Sequence, residues 1–117
     1  MQIPRAVATS SSGEKARAIL ERVGLWQYIP HLTGGDEVKA GKPAPDVYLD
    51  SAQKLGVDAP RCIAFEDSET GIKAALAAGM RVIQVPDLIA AERAPAPPAY
   101  YHASSLVDGA ALLGIDL

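Results

Sequence analysis

Short apolar runs that stop abruptly at polar residues or proline constrain this chain most. Arg5-Ala-Val-Ala-Thr9 runs into three serines and a glycine, Arg61 to Phe65 runs into Glu66-Asp67-Ser68, and Arg81 to Val85 is stopped by Pro86. Each run is five residues long, the length of a strand and too short for a helix. Between them apolar residues recur at helical spacing. Ala16, Ile19, Leu20 and Val23 share one face of a helix predicted over Gly13 to Val23, with Ser12 as N-cap and Gly24 as its left-handed end. A second helix is predicted from Pro45, at its first position, to Gly56, with Val47, Tyr48, Ala52 and Leu55 on one face. A third covers Ser68 to Ala78 and ends at Gly79.

Weaker signals fill the gaps. Leu25 to Tyr28 reads as a short helical turn, and His31-Leu32-Thr33 as a strand before Gly34-Gly35. Lys42-Pro43-Ala44-Pro45 reads as a rigid, extended approach to the second helix. Residues 86–99, with four prolines, read as an irregular connection. A last strand begins at Tyr101, and Ser104 to Leu113 reads as a closing helix. There is no internal repeat. Strands alternating with helices predict an α/β fold: one domain over 1–117, a Rossmann-like three-layer sandwich with a mainly parallel sheet.

Composition excludes several functions. Of 117 residues 49% are hydrophobic and 21% charged, as in a globular domain. A formal charge of −3 gives no basic footprint for nucleic acid. No apolar run approaches the roughly 20 residues that cross a membrane, and the first residues lack the pattern of a signal peptide. The single cysteine, Cys62, allows no internal disulfide and fits a reducing cytoplasm; its apolar neighbours predict a buried structural thiol. Two distant histidines and that cysteine make no zinc pattern.

In a parallel sheet, ligands collect beyond the carboxyl ends of the strands. Thr9 and the pair Glu66-Asp67 lie at such ends. Two unit charges about 4 Å apart repel by on the order of 4 kcal/mol at an effective dielectric of about 20. A cation removes that penalty, and Mg²⁺ is the simplest hard ion for carboxylate and phosphate oxygens. Asp67 is the expected ligand, and Glu66 a ligand or an orienting neighbour; the plainer reading makes Asp67 or Ser68 an N-cap. Thr9, Ser10 and Ser11, at a strand-to-helix turn, can hold phosphate with help from the helix dipole, although serine-rich helix starts are common. Lys42, on positioned backbone, can neutralise phosphoryl oxygens, whereas Lys39 reads as a surface lysine. Together these residues describe a site for an oxyanion and a metal.

The segments AVATSSS (6–12), GKPAPDVYLDSAQKLGV (41–57) and FEDSETGIKAALAAGMRVIQV (65–85) resemble the haloacid dehalogenase superfamily, within its β-phosphoglucomutase and phosphoglycolate phosphatase-like branch. The resemblance implies a phosphatase or phosphomutase acting on a small phosphorylated metabolite with Mg²⁺. It implies that Thr9 bonds the transferring phosphoryl group, that Ser10 and Ser11 help bind phosphate, and that Lys42 steadies nucleophile and phosphoryl oxygens. Asp67 and Glu66 match the metal-site acids, and Gly71 a glycine in the first turn of the following helix. Family members begin with a strand ending in Asp-x-Asp, whose first acid attacks phosphorus. Residues 1–8 hold no acid, and the helical cap that shapes substrate choice is also unmatched.

In the family that strand lies between the strands of Thr9 and Cys62. Strands sit about 4.8 Å apart, so its omission leaves a slot nearly twice as wide. The expectation is that the slot closes by direct pairing or is filled by another chain, through homodimerisation or segment exchange. The alternative to a hydrolase is a non-catalytic truncated module that dimerises or binds phosphate or metal. A phosphorylatable receiver domain is disfavoured, since receivers place the acid pair before the lysine.

Overall fold

A computed structural model describes residues 3–85 and the backbone of 100–102. In chain order these form β1 (Ala6–Ala8), α1 (Gly13–Arg22), β2 (His31–Thr33), α2 (Asp46–Leu55), β3 (Ile63–Glu66), α3 (Glu69–Ala77), β4 (Arg81–Gln84) and β5 (Tyr100–His102), with short 3₁₀ turns at Trp26–Tyr28, Gly35–Glu37 and Ala59–Arg61. All strand pairs are parallel, as the alternation of elements predicts. The predicted connection over 86–99 and the closing helix at Ser104 to Leu113 lie outside the described residues.

The ends follow local chemistry. Ser12 caps α1 by accepting the Lys15 N–H, Ser68 caps α3 by accepting that of Gly71, and Gly56 closes α2 at φ 70°. Pro45 stands one residue ahead of its predicted place, with the helix beginning at Asp46. The Lys42–Pro45 segment is not extended. It folds as a turn closed by the Ala44 N–H on Gly41 O, and the Lys42–Pro43 bond is cis.

Two packing expectations change. On α1 only Ala16 is buried, while Ile19 and Val23 are 54% and 59% exposed. The stripe has the right period and is covered at Ala16 and partly at Leu20, but Ile19 and Val23 stay exposed. The core gathers instead around α2, α3 and β4, on Val47, Tyr48, Ala52, Ile72, Ala75 and Val82. Its alanines let α3 lie close on the sheet.

The sheet is also divided. β1 pairs with β2, while β3, β4 and β5 form a second sheet. The direct pairing of β1 with β3 expected to close the slot does not occur. Helix α2 packs against β1 and β2 and also against α3, so it spans the gap between the sheets. Among the described residues no helix is long and apolar enough to cross a membrane.

Candidate phosphoryl-binding rim

Lys42 links the carboxyl ends of the two sheets. Its ammonium donates to Ala8 O, at the end of β1, at 3.2 Å and to Glu66 Oε2, at the end of β3, at 2.6 Å. Both side chains of this ion pair are at least nine-tenths buried. The ammonium also lies 5.0 Å from the centre of the Tyr48 ring. Tyr48, on the buried face of α2, donates its hydroxyl to the same Glu66 oxygen. Burial, and then the charge of Glu66, push the Tyr48 phenol well above its ordinary pKa.

These contacts answer the question posed by adjacent acids. Glu66 is the last residue of β3 and points inward, 6% exposed, while Asp67 lies beyond the strand and is exposed. Among the described residues, the cation beside Glu66 is the Lys42 ammonium. Asp67 is the expected metal ligand and Glu66 a ligand or an orienting neighbour, both over the rim; the geometry turns Glu66 inward and engages its carboxylate with Lys42, Tyr48 and, at 3.5 Å, Ser68 Oγ. Gly71 makes this possible. A Cβ there would fall 2.1 Å from Glu66 Cδ and Oε1, so the carboxylate rests on the first turn of α3 where a side chain would stand.

Thr9 follows Ala8 directly, so its backbone continues from the carbonyl that Lys42 contacts. Its N–H donates to Thr33 O and its Oγ1 accepts the Ser11 N–H at 3.1 Å. Ser10 and Ser11 are exposed. The helix start offers less than the sequence suggests, because Asp36 Oδ1 accepts the Gly13 N–H at 3.0 Å and Ser12 takes that of Lys15. An acid already occupies part of the positive end of α1. The loop carrying Asp36 approaches because Gly35 has no side chain: a Cβ there would lie 2.4 Å from Ser10 O.

For Mg²⁺ the described residues provide a partial donor set. Asp67 makes no hydrogen bond or ion pair among them, Glu66 is engaged, and no group of three potential ligand side chains is gathered. An ion that takes one or two carboxylates together with phosphate oxygens and water finds one uncommitted carboxylate here, that of Asp67, which fits Mg²⁺ only together with phosphate, water or ligands from elsewhere.

The chain matches the family model of haloacid dehalogenase-like hydrolases over residues 1–85. It belongs to that family. Fructose-1-phosphate phosphatase YqaB of Escherichia coli (strain K12) is 45% identical over 82 residues, which is 70% of this chain and 44% of that protein. The crystal structure of CbbY from Rhodobacter sphaeroides in complex with phosphate superposes with a TM-score of 0.81 at 31% identity, over 96% of this chain and 51% of CbbY. A β-phosphoglucomutase from Clostridium difficile gives 0.62 at 31% identity, over 67% and 35%. The chain thus spans about half the length of the relatives it matches, or less.

Among the members' expected site residues, Lys42 and Glu66 are in contact, with Thr9 adjacent through Ala8. Sequence reasoning placed Tyr48 only in the core. The signal was available: a tyrosine on a buried helical face needs a partner for its hydroxyl, and the nearby buried acid supplies one. Asp36 was also missed, since its role depends on how two distant loops meet.

Proposed function

We propose that this rim binds the phosphoryl group of a small phosphorylated metabolite and that the protein acts in hydrolysis or mutase transfer of phosphate monoesters. The observation that carries the reading is the buried Lys42, held between the carbonyl preceding Thr9 and the Glu66 carboxylate. It sets a positive charge on the carbonyl of the peptide that leads into Thr9, where phosphoryl oxygens would be stabilised. Thr9, Ser10 and Ser11 would hydrogen-bond the phosphate, and Glu66, fixed by Tyr48, would position Lys42. Asp67 is the residue that would hold Mg²⁺, with further ligands from phosphate and from outside residues 1–117; the ion would neutralise phosphoryl charge.

Attack on phosphorus needs a nucleophile. The first acid in the sequence is Glu14, on the exposed side of α1, so residues 1–117 offer no carboxylate on β1 for that role. Turnover would need one from elsewhere. The same observation supports a second reading, a module that binds phosphate or metal without turnover.

Phosphate titrated into the chain and followed by ³¹P NMR should bind, and Thr9→Val should weaken binding by about tenfold through one lost charge-assisted bond. Unchanged binding in that variant would overturn the assignment. The chain alone should not hydrolyse p-nitrophenyl phosphate with Mg²⁺; hydrolysis that Asp67→Asn abolishes would show that the nucleophile lies within these residues.

A further inference from the structure

The serine turn that leads into α1 is gripped by a second loop. The Gly35 N–H donates to Ser11 O at 2.8 Å, and Asp36 Oδ1 accepts the Gly13 N–H at 3.0 Å. Two glycines permit this approach. A Cβ on Gly34 would fall 2.3 Å from Gly13 N, and one on Gly35 would fall 2.4 Å from Ser10 O. The second loop is anchored in turn, since Glu37 accepts the Gly34 N–H and pairs with Lys54 at 2.9 Å. Asp36 is thus held against Gly13, the last residue of the turn. The first residue, Thr9, follows the carbonyl that takes the Lys42 ammonium. The two ends of the turn therefore differ in charge. Lys54 matches Glu37, and the exposed Glu14 and Lys15 at the start of α1 offset each other. Asp36 is exposed and has no ion pair among the described residues, and its Oδ2 has no hydrogen-bond donor among them.

We propose that Asp36 is a specificity-determining residue: it limits the rim to one anionic group, and so favours the phosphate monoester of a neutral, hydroxyl-bearing molecule over a bisphosphate or other polyanion. The inference rests on the phosphoryl reading of the rim and deepens it. The Asp36 carboxylate takes the Gly13 N–H that a second anion would use at the positive end of α1. Its charge repels any further anionic group that reaches the end of the turn. Two unit charges about 8 Å apart, at an effective dielectric of about 60, weaken binding about threefold per ligand charge. A single phosphoryl group held at Thr9 lies at the Lys42 end and escapes most of this repulsion. A hydroxyl is treated differently, because a carboxylate oxygen without a donor accepts from an O–H. The same residue that turns away a second phosphate thus offers a partner to a polyol.

The test uses the full chain, with inorganic phosphate and pyrophosphate as probes, each titrated at low salt and mildly alkaline pH and followed by ³¹P NMR. The parent should bind pyrophosphate no more tightly than phosphate, despite its larger charge; tighter pyrophosphate binding overturns the proposal without any variant. Asp36→Asn keeps an acceptor for the Gly13 N–H and removes the charge. It should tighten pyrophosphate about threefold more than phosphate, and added salt should shrink that difference. Asp36→Ala also frees the N–H and should tighten pyrophosphate further. Equal gains for the two probes, or no gain, overturn the proposal. So does weaker binding of both, which would make Asp36 a brace of the turn and nothing more. If the parent binds neither probe, the phosphoryl reading fails and takes this inference with it. If phosphate binds but the preference between probes does not move, the inference fails alone.

Discussion

Glu66 is surrounded by residues that each have one reason to be there. Gly71 vacates the space its carboxylate fills, and Tyr48 and Lys42 satisfy the same oxygen. The Gly71→Ala substitution sets two effects against each other. Helix propensity favours alanine by about 1 kcal/mol, while the new Cβ drives the carboxylate off Lys42, and losing one partner of a buried pair costs about 3–5 kcal/mol. The net expectation is a loss of about 2–4 kcal/mol in urea unfolding; a gain in stability would refute the crowding account. Tyr48→Phe should cost about 1–2 kcal/mol at neutral pH through the lost hydrogen bond. The folded phenol ionises above its unfolded value of about 10. Its contribution is therefore complete below that pH and is lost as pH rises beyond it. Alkaline unfolding followed by circular dichroism should begin later in Tyr48→Phe than in the parent. Identical alkaline limbs would mean that Tyr48 ionises freely. The sequence showed Lys42, Glu66 and Thr9 as candidates, because charged and hydroxyl residues at strand ends are conspicuous. It hid Tyr48, because a tyrosine at helical core spacing looks like packing.

At the level of elements, α2 and the loop before it are tied by Lys54. Its ammonium bonds Glu37 Oε1 at 2.9 Å, Asp50 Oδ2 at 3.0 Å, Leu32 O at 2.9 Å and Thr33 Oγ1 at 3.1 Å. Burial pulls this ammonium down, but its bonds to Glu37 and Asp50 outweigh that and hold it above its usual pKa. Glu37 is held below the carboxylate range by the Gly34 N–H and then by Lys54, and Asp50 by the Thr33 hydroxyl and then by Lys54. Carboxylates depressed on folding stabilise above their unfolded pKa, near 4, and lose that contribution as pH falls through the folded value. Melting temperature should drop between about pH 4 and lower values, and more gently in Lys54→Met. Because the pairs are partly exposed and screened, the variant should lose less than about 1 kcal/mol at pH 7. An unchanged acid limb would assign the drop to other carboxylates. The helices and strands themselves were legible to within a residue or two, since caps and period are local signals. The exposed stripe of α1 was not, since period gives a face but not what covers it.

For the whole molecule, two sheets face each other across an apolar groove, and their stability should differ by position. Val82 and Ile83 lie on β4 between β3 and β5 and are 0% and 1% exposed, so their amides should exchange last. Those of Ala6, Ala8, Ile63 and Phe65, on open edges, should exchange much earlier. Equal protection across both sets would mean that the groove is closed in solution. The parallel α/β class and the identity of the rim residues were fixed by order along the chain: strand length, helical period, caps, and polar residues where apolar runs stop are all written within ten or so neighbours. Which cation meets Glu66, which way each acid points, and that β1 and β3 stay apart depend on contacts between residues distant in sequence, such as Tyr48 with Glu66, 18 positions apart, and Lys42 with Ala8, 34 apart. Those are settled only when α2 packs across both sheets, because burial and unpaired backbone edges are properties of the assembled layers and have no local pattern to reveal them.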